Sequence, residues 1–475
     1  MSFNTEMAGR TVPGLARHNG QAGPQVDAEN INLALILNLI RSGEATTRPE
    51  IERQSGLGRA IVTDRLATLM GLRLIEEGDL GPSTGGRAPR FVRFRKDAGL
   101  ILLAVIDSST IGVGCADLSG HLLAEHYEAA NADEGPAPIL KRLFTLFDWL
   151  LETHQEDREI WGIGLTVAAP VEAVVDLPFA SPRIHTMPGW EDYPLVEYLA
   201  DRYGAGVRVR SSVQMMTLGE LCAGSGVGFR NMIFIDIGRE ISAGIISEGQ
   251  LHTGAQGGAG MIGHIAVGEE SQAVCRCGNT GCLETVAGAE VIVRAARRGA
   301  QEGRSRLLAE TLATSDEITP ADIGVAAQRG DAFSAELLAR CGRLIGGALA
   351  ALTNAFNPSL IVLSGSLTQT SDILLSAIRE AIYRRSHPLV TRDLRIVRSQ
   401  MGTSSALTGA AMVVVDNLFA TPPLSFWVAH GSPLRFPTWP AISPAPGTPS
   451  RHEGHDHGHR TQPPLHPRTQ NHNDA

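Results

Sequence analysis

The chain has few aromatic residues, few cysteines, no long apolar run and no overall excess of basic charge. Aromatics make up 5% of its 475 residues, yet 43% are hydrophobic, which is ample material for a core. The length suggests about three domains. Six cysteines are present: three lie close together, and Cys115, Cys222 and Cys341 stand alone, so there is no disulfide framework. The opening MSFNTEMAGR lacks an apolar signal segment, and no run is long enough to span a bilayer. A cytoplasmic, membrane-free protein is the expectation. The formal net charge of −9 taken alone argues against nucleic acid. Its distribution argues otherwise, because residues 1–96 carry +3 and the remainder −12. A mildly basic head on an acidic body suits a small DNA-reading module attached to a sensor.

What is present begins with a metal pattern. Cys275-x-Cys277-Gly-Asn-Thr-Gly-Cys282-Leu-Glu284 follows a glycine-rich run ending in Gly263-His264. Three thiols and an imidazole give the donor count and softness of a closed tetrahedral Zn²⁺ site. Gly278 and Gly281 let the chain turn tightly enough to bring Cys282 back. With four positions filled and none left for water, one zinc per chain is expected to serve structure rather than chemistry. Clustered thiols can also be inert small hydrophobes, but polar and glycine neighbours argue against that.

Residues 28–96 read as a winged helix-turn-helix. Asn30 to Ile40 is nearly all apolar and predicts a buried first helix. Thr47-Arg48-Pro49-Glu50 is a capping-box sequence opening a short second helix to about Gln54. Ser55-Gly56-Leu57-Gly58 is the turn, with Leu57 plugging the core. From Arg59 to about Met70, Val62, Leu66 and Leu69 form one inward stripe. Arg59, Ala60 and Thr63 are left outward at the end that enters a major groove. Two strands then flank Gly85-Gly86-Arg87, a wing suited to the minor groove. Thr47, Arg48, Arg59, Thr63, Gly86 and Arg87 are the candidate DNA contacts: Arg59 and Thr63 to bases, Thr47 and Arg48 to phosphates. Winged helices also mediate protein contacts, which is the plainer alternative.

From Gly99 to about Phe419 strand-like and helix-like segments alternate. Ile101 to Asp107 and Ile160 to Val167 read as buried strands, and Gly112 to Leu118 with Ser119-Gly120 as a hairpin. Ile233 to Ile237 and Ala243 to Ile246 form a second hairpin of similar layout. Ile139 to His154, Ala289 to Gln301, Phe333 to Ala355 and Ser405 to Asn417 read as helices. Two strand-rich starts imply an α/β fold of two similar lobes with a ligand cleft between them.

On these residues the chain resembles the ROK family (repressors, open reading frames and kinases), in its winged-helix regulator branch. The matching stretches are Gly56-Leu57 with the Gly85-Gly86-Arg87 wing, Pro188-Gly189-Trp190, Gly263-His264 with the CxCGxxGCLE run, and Asn357-Pro358 leading into Ile361-Val362-Leu363-Ser364-Gly365. The likeness runs from about 28 to 419. It implies an actin-like ATPase (sugar-kinase) body and His264, Cys275, Cys277 and Cys282 as zinc ligands.

Departures from the family pattern bear on activity. The family's Asp-x-Gly-Gly-Thr phosphate loop reads Asp107-Ser108-Ser109-Thr110, whose side chains crowd the phosphates. Its Gly-Thr-Gly reads Gly238-Arg239-Glu240, adding a negative charge. Its Asn-Asp pair, whose Asp deprotonates the sugar hydroxyl, falls on Ser211-Ser212. A serine of ordinary pKa is no general base near neutral pH. The sugar-binding Glu is replaced by Met261, and an Asn by Thr186. No catalytic residue and no ATP use are therefore expected. Thr186, Ser211, Ser212 and Glu284 become candidate effector contacts, with Met261 as an apolar wall. The effector is expected to be a small polar molecule other than a plain aldohexose. Arg210 either adds an anionic preference or faces outward. A vestigial cleft that only supports dimerisation is the alternative.

The expected organisation is a flexible 1–27, the winged helix at 28–96, a two-lobed body at 97–420, and a disordered Pro/His-rich tail at 421–475. The tail's His452 to His459 cluster either binds Ni²⁺ or Zn²⁺ weakly or is simply solvated. The functional expectation is a DNA-binding regulator, most simply a repressor of carbohydrate-related genes. It would read an inverted repeat as a homodimer or homotetramer. A ROK-type sugar kinase with an appended helix-turn-helix is the alternative.

Overall fold

The computed structural model describes residues 28–80, 90–154, 158–172, 183–184, 189–190, 193–238, 240–267 and 273–431. Three helices open it: α1 (Ala28–Arg41), α2 (Arg48–Ser55) and α3 (Arg59–Gly71). The antiparallel ribbon β1 (Ile75–Leu80) and β2 (Arg90–Phe94) completes a winged helix. Its core is aliphatic: Leu33, Ile36, Leu37 and Ile40 of α1 meet Ile51 and the buried Val62, Leu66 and Leu69 stripe of α3. Glu50 holds the start of α2, its carboxylate accepting from the Thr46 and Thr47 N–H groups at 2.9 and 3.0 Å. Gly56 ends α2 at φ +67°, as a helix-turn-helix turn requires.

The first lobe comprises β3 (Leu100–Ile106), β4 (Thr110–Ala116), β5 (Leu122–Ala129), α4 (Pro136–Thr153), β6 (Ile160–Val167), β7 (Val171–Glu172), β8 (Arg183–Ile184), α5 (Leu195–Tyr203), β9 (Gly206–Ser211) and α6 (Ser212–Ala223). Its sheet order is β5-β4-β3-β6-β9, antiparallel through β3 and parallel beyond it. The second lobe comprises β10 (Met232–Ile237), β11 (Ile241–Ser247), β12 (Gln250–His252), α7 (Leu283–Ala287), α8 (Ala289–Gln301), α9 (Arg306–Ser315), α10 (Pro320–Gln328), α11 (Ala332–Phe356), β13 (Leu360–Ser364), α12 (Ser366–Thr370), α13 (Asp372–Arg385), α14 (Pro388–Thr391) and β14 (Arg395–Arg398). The order β12-β11-β10-β13-β14 repeats the first sheet strand for strand, with the same change from antiparallel to parallel. The two similar lobes expected from the sequence are present.

The chain closes with α15 (Ser404–Phe419) and α16 (Thr421–His430). Helix α15 crosses α6 almost backbone to backbone. A Cβ on Gly409 would sit 1.8 Å from the Met215 carbonyl, and one on Gly219 would sit 2.0 Å from that of Ser405. Only glycine permits that approach. The far end of α15 holds the winged helix. Arg41 of α1 pairs with Asp416 at 3.1 Å and lies over the Phe419 ring, and Phe94 of β2 meets Phe419 edge to face at 5.6 Å.

The composition break at Thr421 does not end the fold there. Pro422 and Pro423 fall in the first turn of α16, where a missing N–H costs no helix bond, and Leu424 is fully buried in the core shared with α1. Residues 421–430, expected to belong to a disordered tail, are therefore helical. No single helix among the described residues is long and apolar enough to cross a membrane.

Candidate functional site

A cavity of about 530 Å³ lies between the lobes. The turn after β3 supplies Asp107, Ser108 and Thr110, and the start of α6 supplies Ser211 and Ser212. Asp236, Glu240, Met261, His264, Arg276 and Glu284 face them from the second lobe. Of the expected effector contacts, the structure brings Ser211, Ser212 and Glu284 to this one cavity, with Met261 at its wall. Thr186 lies outside the described residues. Arg210 is not among the lining side chains, so nothing here favours the anionic preference considered for it.

Ser212 is the residue on which the family pattern, read from the sequence, puts a kinase's carboxylate base. Ser212 lines the cavity, while its Oγ is closed off from solvent and has no hydrogen-bond partner among the described residues. A hydroxyl there can bind a ligand hydroxyl but cannot take its proton near neutral pH. Glu284 opens α7 and accepts the Ile241 N–H at 2.7 Å. Burial pushes its carboxyl up to about 7. Ile241 follows the Gly238–Glu240 loop, so Glu284 ties the metal-pattern segment to that loop. Glu240 reaches the cavity as expected, but it is paired with Arg276 at 2.5 Å.

The four metal-pattern donors converge. The ligand atoms of His264, Cys275, Cys277 and Cys282 all lie within 4.8 Å of one another. The His264 Nδ1 is 3.5 Å from the Cys275 Sγ, and the Cys277 and Cys282 sulfurs are 3.7 Å apart. A tetrahedron with ordinary Zn–S and Zn–N bonds has edges of about 3.5–3.8 Å. The residues fit Zn²⁺ in number, softness and spacing. Gly278 at φ +89° and Gly281 at φ +73° make the return turn, and the Gly278 N–H reaches the Cys275 carbonyl at 2.8 Å.

On the winged helix, Arg59, Ala60 and Thr63 are exposed at the N-terminal end of α3. Arg48 is half-exposed and paired with Glu77 of β1 at 2.9 Å. Thr47 is only 7% exposed, so the phosphate contact expected of its side chain does not fit. It caps α2 instead of facing outward. Gly86 and Arg87 lie outside the described residues.

Sequence reasoning overlooked Arg276 and Asp236 as cavity residues. Arg276 was hidden inside the CxC pair, where attention goes to the cysteines. Asp236 left a signal: it is the one charged residue in the apolar strand MIFIDI.

The ROK family profile matches residues 108–417. The chain is 30% identical over 390 residues to the DNA-binding transcriptional dual regulator NagC of Escherichia coli K12, covering 81% of this chain and 92% of that protein. It is 31% identical over 310 residues to a glucokinase of Halalkalibacterium halodurans, covering 65% and 93%. A solved ROK family transcriptional regulator, a homolog of the E. coli MLC protein, superposes with a TM-score of 0.70 at 25% identity, over 85% of this chain and 99% of that one. Both regulator matches span more of the chain than residues 97–475 contain, so they extend into the head; the glucokinase match is the length of the body alone. The chain belongs to the ROK family, with an actin-like two-lobed body behind a winged helix-turn-helix.

Proposed function

We infer that this protein is a sequence-specific DNA-binding transcriptional regulator of carbohydrate-related genes, acting as a repressor, with a non-catalytic ROK body as its sensor. The observation that carries this reading is the docked winged helix with Arg59 and Thr63 exposed at the start of α3. Arg59 and Thr63 read base edges, Arg48 steadies the phosphates, and Gly86 and Arg87 enter the minor groove. A symmetric dimer or tetramer matches an inverted-repeat operator. One structural Zn²⁺ per chain sits at His264, Cys275, Cys277 and Cys282. The protein works in the cytoplasm. Ser211, Ser212 and Glu284, joined by Thr186, contact a small polar effector. Ser212 in place of a carboxylate base supports binding without turnover.

The cavity and the winged helix are joined through α15. Thr403 and Ala406 at its start line the cavity, while Asp416 and Phe419 at its end hold α1. A ligand that prefers one arrangement of this helix shifts DNA affinity, and one with equal affinity for both shifts nothing. Genomic fragments pulled down by the full chain and footprinted should show paired, protected half-sites whose occupancy changes with a sugar panel. Unpaired or absent protection would sink the regulator reading. A coupled ATP assay over the same panel should show no turnover; sugar-dependent ATP consumption would establish a ROK kinase with an appended helix-turn-helix.

A further inference from the structure

The charge on the cavity wall points to a ligand class, an inference that rests on reading the cleft as an effector site. Four carboxyl groups line the cavity: Asp107, Asp236, Glu240 and Glu284. Among the described lining residues the arginine is Arg276, and it is already committed to Glu240. His264 turns its Nδ1 to the thiol cluster. Glu284 also feels the Arg276 charge, so Asp107 and Asp236 are the pair whose described hydrogen bonds come from neutral groups alone. Asp107 accepts the Ser108 N–H at 2.6 Å, Asp236 the Ser364 hydroxyl, and Glu284 the Ile241 N–H at 2.7 Å.

Asp107 and Asp236 repel each other across the phosphate-loop side. Asp236 keeps partial access to the cleft, yet burial, then Asp107 and Glu240, push it up to about 7. A neutral polyol leaves that repulsion in place, and a sugar phosphate or sugar acid adds to it. A protonated amine relieves it, and such a cleft concentrates cations. Ser212 also lines the cavity, and its Oγ, packed away from the cleft without a partner, would gain one on turning to a ligand hydroxyl.

We propose that the effector is a small polyol bearing a protonated primary amine, an amino sugar in chemical class, with its amine on the Asp107–Asp236 side and a hydroxyl on Ser212. Calorimetry on the full-length, zinc-loaded chain at pH 7 tests this. The probes are 2-amino-2-deoxy-glucose, -mannose and -galactose, each beside its N-acetyl form, its plain hexose and its 6-phosphate. At least one amine should bind ten-fold or more tighter than all three counterparts. Asp236→Asn, or Asp107→Asn if the first variant does not fold, should reduce that ratio to within about threefold. Equal binding of amine and N-acetyl forms, or tighter binding of a phosphate, overturns the class while leaving the effector reading intact. Binding of Mg²⁺ alone with no preference among sugars also overturns it, in favour of a metal site. No binding by any probe, with operator binding retained, overturns both the class and the effector role of the cleft.

Discussion

The second lobe's thiol cluster and the phosphate-loop side of the cleft border one cavity, but they depart from the family pattern to opposite degrees. In the cluster all four donors of the pattern are in place, with their ligand atoms within 4.8 Å of one another. On the other side, serines stand at 108, 109, 211 and 212, and Glu240 stands in the second loop. The difference separates what the fold needs from what phosphoryl transfer needs. The donor turn shapes a wall of the cavity through His264, Arg276 and Glu284, whereas no described hydrogen bond depends on a base at position 212.

The strongest way to break that contrast is to remove the metal. Chelation, or Cys277→Ser, should melt the second lobe at a much lower temperature, since structural zinc sites supply on the order of 10 kcal/mol of folding free energy. Ser212→Ala should leave melting almost unchanged. Elemental analysis well under one zinc per chain, or wild-type melting in Cys277→Ser, would erase the contrast.

Next in size is base readout by the winged helix. Arg59→Ala should weaken operator binding by about 1–3 kcal/mol and relax preference at one base position. Titrations on operator variants would show it; a uniform loss across all sequences would reassign Arg59 to a phosphate.

A smaller effect tests the acidic side directly. The Asp236 carboxyl is raised from 3.8 to about 7 in the fold. The native state therefore holds its proton more tightly than the unfolded chain. Its contribution to stability declines as pH rises from about 4 to about 7 and is level above that. Melting temperatures between pH 5 and 8 should fall more steeply for the wild type than for Asp236→Asn, and parallel curves would show that Asp236 is not strained.

The smallest change concerns the link between the two functions. Asp416 is 63% exposed, so Asp416→Asn should cost well under about 1 kcal/mol of stability. It should nevertheless shrink the effector-dependent change in operator affinity severalfold. Unaltered coupling would route the signal elsewhere.

Much of this architecture was legible in the sequence because period and spacing are local. The Val62, Leu66 and Leu69 stripe fixed the face of α3, and the span read from Ser405 to Asn417 lies within α15. The four donors were legible because the metal imposes a spacing on the chain. The rest depends on packing between distant segments. Arg276 enters the cleft only because the turn that carries it is folded around the donors. The partnership of Arg41 with Asp416 spans 375 positions and leaves no periodic trace. Helix α16 was hidden by its two prolines, which read as a break until its buried Leu424 shows them to be a helix start.

Helix α15 also has the dimensions of a lever. Its 16 residues give a rod of about 24 Å, with one end at the cavity and the other beneath the winged helix. Pivoting at the cavity end, a tilt of about 5° moves the far end by about 2 Å. In a two-fold pair the recognition helices would then separate or approach by about 4 Å, against a half-site spacing of about 34 Å. Bidentate contacts to base edges do not survive a misfit of that size. Tilting one rod by a few degrees is equivalent to asking the operator for a different helical pitch.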